Sequence, residues 1–214
     1  MKHLILVAGN ISAGKTSLTE MVGRRFGWLM GFESVGDNPY LAEFYADMAQ
    51  WAFHLQVFFL GQRARHHLAL AQDPRSAIAD RSIYEDAYVF ARALRRLGHL
   101  TERDYQSYRT VFDLVVEPLP APDLLLYLSA PVEVLMERIR RRGRKMERGI
   151  SEDYLRVLRR LYEEWLAVYD LSPVLEIRTD HIDFVRRSED LDTVVEHIRA
   201  RLAGREEIAL TSSE

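Results

Sequence analysis

Gly9-Asn10-Ile11-Ser12-Ala13-Gly14-Lys15-Thr16 follows the apolar run Leu4-Ile5-Leu6-Val7-Ala8 and precedes a helical pattern over 17–26. Strand, glycine-bearing loop and helix in that order form a cradle for the phosphates of a nucleoside triphosphate. The glycines let successive backbone N–H groups turn inward on the β-phosphate, Lys15 reaches the β and γ oxygens, and the Thr16 hydroxyl takes a place on Mg²⁺. Ser17 begins the helix, whose positive end points at the same anion. A glycine-rich turn is the competing explanation, and the strand before it and the helix after it argue against that. ATP or GTP binding follows, and the next question is what accepts the phosphate.

Two further stretches carry groups suited to that chemistry: Glu33, after Met30-Gly31-Phe32, and Asp80-Arg81-Ser82, after Ala77-Ile78-Ala79. A carboxylate at Glu33 can take the proton of an alcohol attacking the γ-phosphate, Arg81 can neutralise the transferring group, and Asp80 can hold Mg²⁺ directly or through water. Alone, each has a plain structural explanation, a helix cap or a surface ion pair. Their recurrence at successive strand ends makes a hydroxyl-phosphorylating site the better reading. The segment around Glu33, Phe32-Glu33-Ser34-Val35-Gly36-Asp37, is acidic and lacks the arginine that would clamp a phosphate dianion, which favours an uncharged acceptor.

These groups need a scaffold. Apolar runs between breakers place strands at 3–8, 28–32, 76–79, 123–129 and 174–177, separated by helical patterns, and such alternation means a parallel sheet covered on both faces. Ligands of an open parallel sheet lie beyond the carboxyl ends of its strands, where the phosphate loop, Glu33 and Asp80 fall. Asn38-Pro39 opens a helical region that runs to about 72, with Trp51, Phe53, Leu55, Phe58, Phe59 and Leu60 as core or pocket wall. Gln56 and Arg63, seven positions apart, share one face of it with Phe59 and Leu60. Further helices are expected at 83–97, 101–117, 132–142, 152–169 and 189–203, and Pro118, Pro120 and Pro122 mark a rigid turn into the fourth strand.

The 214 residues, 48% hydrophobic and 29% charged, suit one compact domain over 1–204, with 205–214 read as a flexible tail. Crossing a bilayer takes about 20 consecutive apolar residues, a length no run here approaches, and no export signal precedes the phosphate loop; a cytoplasmic protein without membrane contact is expected. The absence of cysteine excludes disulfides, Cys-ligated zinc and thiol catalysis, and a formal charge of −3 gives no general attraction to nucleic acid. The basic run 138–144 is better explained by closure on phosphates than by nucleic-acid binding. His66 and His67, adjacent on a helix, diverge too far to share a metal and receive no role.

The chain resembles the deoxyribonucleoside kinase family, with the look of its bacterial deoxyadenosine and deoxyguanosine kinases. The resemblance lies in the phosphate loop, in Glu33 with Asn38-Pro39-Tyr40-Leu41 behind it, in Phe44-Tyr45, in Gln56, in Asp80-Arg81-Ser82-Ile83-Tyr84, and in Glu137-Arg138-Ile139-Arg140-Arg141-Arg142-Gly143-Arg144. It implies a P-loop kinase fold: three layers, a central five-stranded parallel sheet flanked by helices, and an arginine-rich lid at about 138–150. It further implies Glu33 as base for the 5′-hydroxyl with Arg81 close to that oxygen, Tyr45 and Glu147 on the sugar 3′-hydroxyl, Gln56 on the nucleobase edge, and Arg142 and Arg144 over the donor phosphates. Mg²⁺, held by Thr16 and Asp80, and a homodimer are implied as well. Arg63 and Asp86 match positions that carry this pair in family members accepting purines or deoxycytidine, which points away from thymidine. Ser34 stands where many relatives have proline.

The resulting expectation is ATP-dependent phosphorylation of deoxyadenosine or deoxyguanosine for nucleotide salvage. A deoxycytidine-preferring or multisubstrate kinase, a nucleoside monophosphate kinase and a non-enzymatic nucleotide switch stand as alternatives. The switch predicts the guanine-specifying Asn-Lys-x-Asp element, which is not found in the sequence.

Overall fold

The computed structural model describes residues 1–32 and 38–211, the side chains of 146 and 205–211 excepted. Five strands form one parallel sheet in the order β2-β3-β1-β4-β5: β1 (Leu4–Gly9), β2 (Leu29–Gly31), β3 (Ala77–Asp80), β4 (Leu124–Ser129) and β5 (Val174–Arg178). All are parallel, as the spacing predicts, and each strand starts and ends within a residue or two of its expected bounds. Every residue of β1 and β3 is buried, so these strands read as continuous apolar runs instead of alternating ones. Pairing of Val7 with Asp80 and of Gly9 with Leu128 sets the carboxyl ends of β1, β3 and β4 side by side.

Helices flank the sheet. α1 (Lys15–Phe26) packs on β1, β2 and β3 and touches α9 (Ser188–Thr211), which also meets β5. α3 (Met48–Gln72) packs on β2 and β3 and against α6 (Glu102–Val116); α7 (Val132–Arg142) packs against α8 (Glu152–Leu166). On α3 the buried residues Ala52, Leu55, Gln56, Phe59, Leu60, Arg63, His67 and Leu70 recur at helical spacing. Three polar side chains therefore sit inside an apolar stripe, where burial demands partners.

Two helical regions are divided where one helix is expected in each, and the last helix, expected at 189–203, runs on to Thr211. The region expected to run from 38 to 72 is two helices, α2 (Leu41–Ala46) and α3, broken at Asp47. Asp47 takes extended backbone and its carboxylate accepts from Gln50 N, so it caps α3 and cannot continue α2. Asn38 does not cap this helix: its Oδ1 accepts from Tyr40 N in a turn, and α2 starts only at Leu41 with Tyr40 at its N-cap and no side-chain hydrogen bond there. The region 83–97 divides into a short α4 (Ile83–Glu85), a π-helical stretch Asp86–Ala91 and α5 (Arg92–Arg96). Wide turns of this kind cost hydrogen-bond geometry and concentrate at functional sites.

Candidate active site

The phosphate loop is shaped by its backbone. Gly9 and Gly14 have φ of 150° and 104°, and Ser12 is left-handed at 63°. At Gly9 a Cβ would lie 2.5 Å from the Leu128 carbonyl oxygen, so strand pairing leaves no room for any other residue. Asn10 folds inward, its Oδ1 accepting from Ile11 N at 2.8 Å and its Nδ2 donating to Leu155 O at 3.0 Å, which ties the loop to α8. Lys15, nearly buried, donates to the carbonyls of Gly9 (2.7 Å) and Asn10 (2.9 Å). Beside it the Thr16 hydroxyl donates to Asp80 Oδ2 at 2.5 Å, and Asp80 Oδ1 is buried with no partner among the described residues. Two adjacent hard oxygens, one with spare acceptor capacity, suit a Mg²⁺ that keeps water and phosphate for its other positions.

Two cavities meet over this loop. The larger, about 790 Å³, is lined by 12–17, by Arg138, Arg141, Arg142 and Arg144, and by the segment 179–187. The smaller, about 230 Å³, is lined by Ile11, by Tyr45 of α2, by Gln56 and Phe59 of α3, by Asp80, Arg81 and Asp86 after β3, and by Glu147 and Tyr154. Ser12, Lys15, Thr16, Arg142 and Arg144 line both. One polar, cation-rich chamber thus opens onto one tighter, aromatic-walled chamber across the phosphate loop.

The structure gathers nearly all of the sequence-designated residues here. Glu33 lies outside the described residues. Gly9 and Asn10 form the floor of the loop and do not line either cavity. Arg63 stands behind Asp86 instead of in the cavity: the two form a buried ion pair, and the Arg63 guanidinium also lies over the Phe59 ring at 4.8 Å. Asp86 faces the chamber and Arg63 supports it from α3. Gln56 is buried beside them, with its Oε1 lacking a partner among the described residues. Arg142 grips Glu147 through Nε (3.1 Å) and Nη2 (2.7 Å to each oxygen), and Arg144 reaches the same carboxylate at 3.5 Å. Burial pushes the Tyr154 phenol up, so it stays a neutral wall group.

Sequence reasoning took Arg138 only as part of the basic run 138–144 and gave no site role to Glu85 or Tyr162. Arg138 crosses from α7 to donate to Thr179 Oγ1 (2.8 Å) and Thr179 O (2.6 Å), fixing the segment that walls the larger cavity. Glu85 and Tyr162 form a buried polar knot under the loop, with Tyr162 OH 2.6 Å from Glu85 Oε2 and 2.8 Å from Gly9 O. The pattern Ser82-x-x-Glu85 does signal a capping box, which the structure contains, but nothing local points from Glu85 to Gly9.

A parallel sheet ending in a phosphate loop, with a second pocket across from it and arginines bridging the two, defines a phosphotransferase. The deoxynucleoside kinase family model matches residues 5–203, and the chain belongs to that family. It is 35% identical over 197 residues to the deoxyadenosine/deoxycytidine kinase of Bacillus subtilis, covering 91% of each chain. With a deoxyguanosine kinase of Lactobacillus acidophilus it shares 36% identity over 208 residues, covering 93% of this chain and 90% of that one. Among solved structures, deoxyadenosine kinase from M. mycoides with dCMP and a flexible dCDP bound superposes with a TM-score of 0.82 at 27% identity, covering 92% of this chain and 99% of that one. The same enzyme with dATP bound gives 0.78 at 28% identity, covering 94% and 99%. Among the described residues no helix is long and apolar enough to cross a membrane.

Proposed function

We propose that the chain transfers the γ-phosphoryl group of ATP to the 5′-hydroxyl of a deoxyribonucleoside, deoxyadenosine or deoxyguanosine before deoxycytidine, and thymidine least. The observation that carries this reading is the pairing of the two chambers across Lys15 and Thr16. ATP occupies the larger one with its phosphates on the loop, and the nucleoside occupies the smaller one with its 5′ end toward them. Glu33 takes the proton as the 5′ oxygen bonds to phosphorus, the bond from phosphorus to the β–γ bridging oxygen breaks, and ADP leaves. Arg81 meets charge near the attacking oxygen, while Lys15, Arg142 and Arg144 meet it on the donor phosphates. Mg²⁺ carried with ATP would be held by Thr16 and Asp80 and would supply charge neutralisation on the donor phosphates.

The base preference follows from acceptor chemistry. Gln56 and Asp86 line the smaller chamber, and side chains that accept hydrogen bonds suit a base with an exocyclic amine, as adenine, guanine and cytosine have and thymine lacks. Deoxycytidine is kept as a second reading because a B. subtilis relative is by name a deoxyadenosine/deoxycytidine kinase. Tyr45 and Glu147, in the same chamber, take the 3′-hydroxyl. The lid spans 138–150, and the domain spans 1–204. Pairing of two copies through helices is part of this reading and is supported by Val111 and Leu114 of α6, 48% and 67% exposed; sedimentation at micromolar concentration tests it.

Eight nucleosides, ribo and deoxy, assayed with ATP beside dAMP and dTMP, test the function. Transfer to a purine deoxynucleoside is expected; transfer confined to the monophosphates, or GTP hydrolysis that consumes no acceptor, would displace it. For Glu33→Gln, turnover is expected to fall by about 10² to 10⁴ with nucleoside binding retained. Unchanged turnover removes Glu33 from the mechanism.

A further inference from the structure

Glu85 has no place in the reaction as written above, yet among the described residues it is the most deeply buried carboxylate near the site, with no exposed surface. Burial of a charge is unfavourable unless its lone pairs are met, and here they are. Oε1 accepts from Ser82 N at 3.2 Å and Oε2 from Gly9 N at 3.2 Å and Tyr162 OH at 2.6 Å. Burial and the adjacent carboxylate hold the Tyr162 phenol protonated, so it remains a donor. These three donors come from the turn after β3, the end of β1 and α8, and they leave the carboxylate no freedom.

The remaining contact points outward. Arg81 Nη1 lies 3.5 Å from Glu85 Oε1, and its guanidinium rests over the Phe90 ring at 4.4 Å. Arg81 also has a left-handed backbone, φ 81°, a conformation that costs free energy in a non-glycine residue and persists only where the surroundings enforce it. Its side chain lines the smaller chamber.

We infer that Glu85 is a positioning residue for phosphoryl transfer: anchored to the first residue of the phosphate loop, it sets the place of the Arg81 guanidinium relative to the bound donor. The inference rests on the reading of Arg81 as the cation at the attacking oxygen. A carboxylate serving packing alone would have the same partners on its inner side, so the test must read its action through Arg81.

Glu85→Gln keeps shape and loses charge. Displacement of a catalytic group by about 1 Å costs roughly 100-fold, so kcat of Glu85→Gln is expected to fall by about 100-fold with KM for nucleoside and ATP near that of the unchanged chain, while the thermal midpoint falls because the amide NH2 must face one of the donors that the carboxylate accepts. The same substitution in an Arg81→Ala background, measured by single-turnover transfer, is expected to cost less than about twofold, because the group it positions is gone. Tyr162→Phe, which removes the hydroxyl shared between Glu85 Oε2 and Gly9 O and no charge, should lower kcat by about tenfold with the same dependence on Arg81. It carries the test if Glu85→Gln does not fold. Normal kcat in the single variants, or the full loss persisting without Arg81, overturns the inference while an active unchanged chain keeps the function reading intact. An unchanged chain that phosphorylates no nucleoside overturns both.

Discussion

Gly9 joins strand pairing, loop geometry and the buried polar knot in one residue. Its φ of 150° and the 2.5 Å approach of Leu128 O to an added Cβ mean that Gly9→Ala must separate β1 from β4 or strain the loop. A loss of about 2–3 kcal/mol in unfolding free energy is expected, with weakened ATP binding, and denaturant titration beside nucleotide binding checks it. Tyr108 is the opposite case. Its hydroxyl is fully buried on α6 with no partner among the described residues, and burial pushes its pKa well up. Tyr108→Phe removes that unmet polar group and leaves none behind. A gain of about 1 kcal/mol, or about 2–4 °C in Tm, is expected, and a loss would reveal a partner for the hydroxyl.

The helices that carry the site are cut to length by caps. Asp47 ends one and starts the next, which separates Tyr45 on α2 from Gln56 on α3 and lets both line one chamber. α8, which supplies Tyr154 and Tyr162, starts at Ser151, whose Oγ accepts from Tyr154 N at 3.1 Å; Ser151→Ala is expected to cost about 1 kcal/mol in thermal unfolding. Between α7 and α8 the chain turns at Gly143 and passes through a 3₁₀ stretch at Lys145–Glu147. Arg142, at the end of α7, shares Glu147 with Arg144 while lining both chambers. An arginine that stabilises transferring phosphate is worth about 10³ or more in rate. Arg142→Ala is therefore expected to lower kcat by about that factor, and a purely structural Arg142 would instead lower stability and spare turnover.

For the molecule as a whole, α3 is anchored at its far end by His67, whose Nε2–H donates to Pro120 O at 2.7 Å in the proline-rich turn before β4. The other nitrogen, Nδ1, is buried without a partner among the described residues, so a proton there would be buried unmet. Burial, with a smaller contribution from His66, holds the His67 pKa below 6.5, and burial and then Arg63 do the same for His66. The unfolded chain therefore takes up protons first as pH falls. The stability that the neutral rings contribute is complete above pH 6.5 and is lost as pH drops from 6.5 toward the depressed folded values. Urea midpoints measured from pH 7.5 down to about 5 should decline across that window. His67→Gln, which keeps a donor for Pro120 and cannot titrate, should reduce the slope; an unaltered slope would assign the pH dependence elsewhere.

Strand positions, the parallel sheet and the phosphate loop were all legible in the chain because each is written within a few neighbouring residues: an unbroken apolar run, two glycines at fixed spacing, a lysine and a threonine directly behind. The break at Asp47 was not read: an aspartate followed three positions on by Gln50 can mark a helix start, but the apolar pattern on either side masked it. The strand order β2-β3-β1-β4-β5 had no local sign, since pairing partners lie tens of residues apart and burial on both faces removes the alternation that would orient them. Arg63 shares a helix face with Gln56 by sequence and in the fold, yet only packing against the π-helical stretch sets it behind Asp86 and away from the cavity. Glu85 reads in sequence as the end of a capping box. Its bond to Gly9, 76 positions away, comes into being only when adjacent strands bring two loop ends together and bury Glu85 completely, and there a carboxylate needs partners within the protein.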